Sequence, residues 1–81
     1  MAKPSTKHAG NPALKSLGKT IRAVRADQKI SQEALACEAN LDRSYMWGIE
    51  QGQHNITLLS LMKITERLNI KASELLEKAD L

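Results

Sequence analysis

The sequence predicts an all-α domain built from five short helices. Three observations lead there. Apolar residues recur at spacings of three and four from Pro12 onward, no stretch alternates apolar and polar residues as a strand would, and Ser, Asp or Thr stands just ahead of the later apolar stripes. At 81 residues the chain has room for one domain. Its hydrophobic share of 42 % supports a small core, and with one Trp, one Tyr and no Phe that core must be filled by Leu, Ile, Ala and Met. So short a chain has little stability to spare for a deep cavity, which counts against an enzyme built around a pocket.

Residues 1–12 mix Lys, Ser, Thr, His, Gly, Asn and two Pro without apolar periodicity, and read as a disordered basic arm ahead of a domain at 13–81. Leu14, Leu17, Ile21 and Val24 then mark a first helix over 13–27, with Lys15, Lys19 and Arg22 on its other faces. Ser31 suits the cap of a second helix over 31–38, because its hydroxyl can accept an orphan amide of the first turn. Asn40 tolerates positive φ and closes that helix. Asp42 is the expected cap of a third helix, which runs to Glu50 or Gln51 and stops at Gly52. Thr57 caps a fourth, whose stripe is Leu58, Leu61, Met62, Ile64, Thr65 and Leu68; Ser73 caps a short fifth holding Leu75 and Leu76.

Charge and helix geometry carry the functional reading. Residues 1–30 hold seven basic groups against Asp27 alone, a net +6, while residues 31–81 are net −3. A basic end on a small domain suits a polyanion, although basic tails also serve solubility. The second and third helices are short and joined by about three residues, so they must cross steeply, as in a helix-turn-helix. Ala36 stands where that crossing needs a small side chain. On the third helix Met46 and Ile49 face one side, with Leu41 just ahead; Ser44, Trp47, Gly48 and Gln51 fall on the other at 100° per residue. Arg43 flanks its start. An Arg there suits a major groove, where it can take both O6 and N7 of guanine.

These residues resemble the phage repressor/Cro-like (xenobiotic-response-element-type) helix-turn-helix family from about Leu14 to Leu76. The matching pieces are Ile21-Arg22-Ala23-Val24-Arg25, Ile30-Ser31-Gln32-Glu33-Ala34-Leu35-Ala36, Leu41-Asp42-Arg43-Ser44-Tyr45-Met46-Trp47-Gly48-Ile49-Glu50-Gln51-Gly52 and Leu61-Met62-Lys63-Ile64. Asn40-Leu41-Asp42-Arg43-Ser44-Tyr45 followed by Asn55-Ile56-Thr57 is similar to the controller proteins of restriction–modification systems. The resemblance implies a lambda-repressor-like fold and a homodimeric transcription regulator that binds a near-palindromic operator in double-stranded DNA. It implies base reading by Arg43 and Ser44, phosphate contacts by Gln32, Tyr45, Gln51, His54 and Asn55, and an ion pair between Arg25 and Glu50. This chain has Asn40 where the family usually has Gly. It has Trp47 where a small or polar residue usually stands, which bears on how deeply the third helix enters a groove.

Trp47 has three readings: packing on a neighbouring helix, stacking on DNA, or a protein contact. The cost of exposing a lone Trp favours the first, and Trp47 and Gly48 otherwise join the base-reading set. Ser31 joins the phosphate contacts through its place at a helix start. Cys37 reads as a small buried or half-buried apolar residue. His8 and His54 show no metal-ligand spacing, and no nucleophile–base pair, carboxylate dyad or phosphate loop can be drawn, so neither a cofactor, a metal nor catalysis is expected. Ile70, Leu75, Leu76 and Leu81 crowd the last twelve residues and form the expected dimer interface. With no signal-peptide pattern and apolar runs too short for a bilayer, a soluble cytoplasmic protein without a membrane partner is expected. The rival from another class is an antitoxin or protein-interaction module on the same fold.

Overall fold

The computed structural model describes residues 8–81. Among these residues stand five helices and no strand: α1 (Pro12–Asp27), α2 (Gln32–Glu38), α3 (Arg43–Glu50), α4 (Leu58–Leu68) and α5 (Ala72–Lys78). The expected arm covers residues 1–12. Its part on residues 1–7 lies outside the described residues. Residues 8–10 make a turn whose Gly10 amide donates to the Gly52 carbonyl at 2.9 Å. Asn11 then caps α1 by accepting from the Ala13 amide at 2.9 Å, and Pro12 opens the helix at a position where its missing N–H is not needed.

Local chemistry sets most of the helix ends. The Ser31 hydroxyl accepts from the Ala34 amide at 3.0 Å, and the Thr57 hydroxyl accepts from the Ser60 amide at 3.1 Å. Asn40 and Asn69 both adopt φ 56°, so asparagine closes α2 and α4 in the left-handed region. Gly52, at φ 74°, turns the chain out of α3. Two expected caps differ. Asp42 occupies the cap position of α3 without a side-chain bond, and α5 begins at Ala72 after Lys71 rather than at Ser73. Ala72 packs against the core, and that burial draws its turn into the helix ahead of the serine.

The core takes Leu17 and Ile21 from α1, Leu35 and Ala36 from α2, Met46 and Ile49 from α3, Leu61, Ile64 and Leu68 from α4, and Leu75 and Ala79 from the C-terminal end. Each fully buried Leu or Ile contributes about 1.5–3 kcal/mol. Side chains tie the scaffold together. The Ser16 hydroxyl donates to the Ala79 carbonyl at 2.6 Å, the Gln28 amide donates to the Leu68 carbonyl at 2.7 Å, and Arg67 pairs with Glu38.

Three expectations about burial are corrected. Leu75 is fully buried and Ile70 and Leu76 pack partly on the core, so of the expected dimer residues only Leu81 is exposed. α5 folds back on α1 and α4, and the core covers this end except for Leu81 and parts of Ile70 and Leu76. Leu58 and Met62, expected in the core stripe of α4, are instead exposed at 67 % and 51 %, beside Leu59 at 71 %. Cys37 is exposed as well.

Candidate nucleic-acid interface

α3 is held on its inner side by three close approaches. The first is steric: a Cβ on Gly18 would stand 2.5 Å from the Ile49 carbonyl oxygen and 2.6 Å from that of Glu50, so only glycine lets α1 cross α3 this closely. The second is Ala36, buried in α2, whose carbonyl accepts from the Leu41 amide at 2.8 Å across the turn into α3. The third is electrostatic. Arg25 Nε donates to Glu50 Oε2 at 2.7 Å and its Nη2 to Oε1 at 3.0 Å, while Nη1 donates to the Ile30 carbonyl at 2.9 Å. Gln32 Nε2 adds a bond to Glu50 Oε1 at 3.0 Å. The Glu50 side chain is only 1 % exposed, and this fork of donors makes its burial tolerable. Hydrogen bonding to Glu50 raises the Arg25 pKa above its ordinary value; burial opposes the rise and the carboxylate's charge adds to it.

With its inner side fixed, α3 presents Arg43, Trp47 and the adjoining Gln51 outward, with Ser44 half-buried at their side. Arg43 reaches back to Glu33 of α2 at 3.4 Å, an exposed pair that solvent screens and a stronger partner can displace. Trp47 is 48 % exposed, so it is not the buried packing residue that the cost of exposure favours, and part of its indole faces solvent.

The other flank of α3 faces the loop into α4, and two expected contacts change there. His54 is buried, with its ring lying on Gly48; a Cβ at Gly48 would stand 2.3 Å from His54 Cδ2. Gly48 therefore faces His54 rather than bases, and His54 packs the loop onto α3 rather than lying along a phosphate strand. The Tyr45 ring lies 4.9 Å from that of His54, and its hydroxyl donates to the Ser60 hydroxyl at 3.3 Å. Asn55 is exposed in the same loop, and Ser31 is exposed at the start of α2.

Residues 21–75 match the model of a helix-turn-helix family, which covers more than half of the chain. The chain belongs to the helix-turn-helix family. It is a DNA-binding transcription regulator and not an enzyme. The chain is 42 % identical over 57 residues to control protein C.MunI of a Mycoplasma species, covering 70 % of this chain and 74 % of that one. It is 36 % identical over 61 residues to control protein C.BamHI of Bacillus amyloliquefaciens, covering 74 % and 75 %. The crystal structure of the restriction–modification controller C.AhdI from Aeromonas hydrophila is similar with a TM-score of 0.75 and 40 % identity, over 76 % of this chain and 94 % of that one. The similarity to controllers and repressors does not favour the protein-interaction rival.

The helix-turn-helix places Arg43, Ser44, Trp47 and the adjoining Gln51 on one side of α3, with Gln32 reaching Glu50 on one flank and Tyr45 reaching Ser60 on the other, while Ser31 and Asn55 are exposed. It brings Arg25 to Glu50 as the resemblance implied. Sequence reasoning missed the contact between Gly48 and His54. Its signal was available: a glycine inside a helix costs about 1 kcal/mol relative to alanine, so its presence asks for a close neighbour. No described helix is long and apolar enough to cross a membrane.

Proposed function

We propose that two copies of this chain bind a near-palindromic operator, each laying α3 in one of two successive major grooves about 34 Å apart. Arg43 reads guanine, and Ser44, Trp47 and Gln51 line the same groove. Ser31, Gln32, Tyr45 and Asn55 hold the phosphates on either side. The observation that carries this reading is the outward Arg43 and Trp47 on a helix whose inner side is locked by Arg25, Glu50 and Gln32. Likeness to C.MunI, C.BamHI and C.AhdI supports a restriction–modification operon as the regulated unit, with the cytoplasm as its place of action.

The second copy meets the first through the outer face of α4. Leu58, Leu59 and Met62 fall within about 100° of one another around that helix, and three large apolar groups left in water favour association. Ser60 and Arg67 on the opposite flank tie α4 to α3 and α2, so the apolar face is held in a fixed relation to the reading helix.

Anisotropy titrations against a duplex selected by the protein from a random library, and against unselected duplex, test the reading. Arg43→Ala should lose about 1–3 kcal/mol of preference between the two while melting like the parent. Equal losses on both duplexes would demote Arg43 to a phosphate contact.

A further inference from the structure

We infer that Lys15, Lys19 and Arg22 on α1 form a second contact to the DNA backbone, gripping the sugar–phosphate strand that flanks the base pairs read by α3. The inference rests on the reading of α3 just given and extends the footprint beyond the helix-turn-helix itself. All three side chains are exposed. At 100° per residue they fall within about 60° of the α1 surface and rise over about 10 Å. One DNA strand offers about three phosphates along that length of axis.

Among the described residues their charges have no ion-pair partner. None of the ion pairs among the described residues, Arg25 with Glu50, Arg43 with Glu33 and Arg67 with Glu38, involves any of them. The arrangement is also unfavourable in the free protein. Lys15 and Lys19 are four apart and Lys19 and Arg22 three apart, so like charges face each other along the helix. Lys15 lies in the first turn of α1, which holds no acidic residue and where the helix dipole disfavours a cation. A polyanion laid along the stripe relieves all of these repulsions at once.

The stripe's position selects DNA as that polyanion. Lys15, Lys19 and Arg22 line one open cleft of about 250 Å³ together with Glu50 and Gln51. The Glu50 carboxylate does not neutralise it, because both its oxygens are taken by Arg25 and Gln32. Gln51 follows α3 directly, so the cleft continues the outward face that carries Trp47. The join is tight: a Cβ on Gly52 would stand 2.7 Å from Lys15 Cα, which seats the start of α1 against the end of α3. A duplex seated on α3 thus has a basic wall beside it without any rearrangement.

The full-length protein and its Lys19→Ala/Arg22→Ala double variant are titrated with selected and unselected duplex across a salt series, with Arg43→Ala as the control for groove reading. The double variant should flatten the logarithmic salt slope by roughly 1.8, about 0.9 for each phosphate released. It should weaken both duplexes by the same factor, keep the parent's sequence preference, melt no lower than the parent, and lose hydroxyl-radical protection at the flanking sugars. A parent-like slope and footprint would overturn the inference while leaving α3 as the reader. Loss confined to the selected duplex would overturn it too, by making these residues base readers. Binding of polyglutamate that the double variant loses, with the DNA slope unchanged, would assign the stripe to an acidic protein instead. A parent protein that binds neither duplex would defeat the reading of α3 and this inference together.

Discussion

The outward faces of α3 and α4 both expose large side chains, yet their chemistry suits the different partners proposed above. α3 shows Arg43, Trp47 and Gln51, a mixture of charge, ring and amide. α4 shows Leu58, Leu59 and Met62, which can neither donate nor accept a strong hydrogen bond. Base edges present donors and acceptors in fixed places, so a face that reads them needs polar groups held in fixed places. The inner side of α3 supplies that through a buried carboxylate with three donors on it. An interface between copies needs only to exclude water over a shared apolar area, and α4 carries no buried ion pair behind its exposed face. Rigidity is invested where direction matters.

The strongest way to break this contrast is to remove the brace behind α3. Glu50→Ala leaves Arg25 and Gln32 without their shared acceptor and should cost about 3–5 kcal/mol, enough to unfold much of so small a domain. A thermal melt followed by circular dichroism reads it directly; a parent-like melting temperature would mean that solvent already satisfies Arg25. A smaller effect tests the α4 face. Leu59 is exposed in one copy, so Leu59→Glu should leave the monomer's helical signal intact. It should weaken association by about 1.5–3 kcal/mol for each copy's leucine that the interface buries. Sedimentation at several concentrations should show the shift toward monomer, and an unchanged dimer would move the interface off α4. The smallest effect belongs to Glu33. Its exposed pair with Arg43 is worth at most about 1 kcal/mol, so Glu33→Ala should leave melting alone and slightly tighten operator binding by freeing Arg43. Weaker binding would mean that Glu33 positions Arg43 for the groove.

Much of this is legible in the sequence. Ser31 and Thr57 cap because a hydroxyl and an orphan amide meet within one turn, and Asn40 closes α2 because its short side chain tolerates left-handed φ. Arg25 and Glu50, far apart in sequence, were reachable only through family resemblance, since no local rule pairs an arginine on one helix with a carboxylate two helices later. The errors cluster where a residue's choice of face depends on a neighbour distant in the chain. The first half of α4 is apolar on several sides, so periodicity cannot say whether Leu61 or Leu58 goes inward. The cost of exposure favours packing among the three readings of Trp47, yet among the described residues its side chain stays about half exposed.

The all-α class, the helix order and most helix ends follow from side chains within a few residues of one another: caps, left-handed asparagines, and apolar residues three and four apart. Which surfaces remain outside was settled by the assembled fold. It put His54 over Gly48, sank Leu75 into the core, and left Leu58, Leu59 and Met62 in water. The physical reason is that burial is a property of neighbours. A helix of fixed periodicity can be rotated to hide any of its apolar sides, and the side it hides is settled by the close approach that another helix allows, as at Gly18 and Ala36.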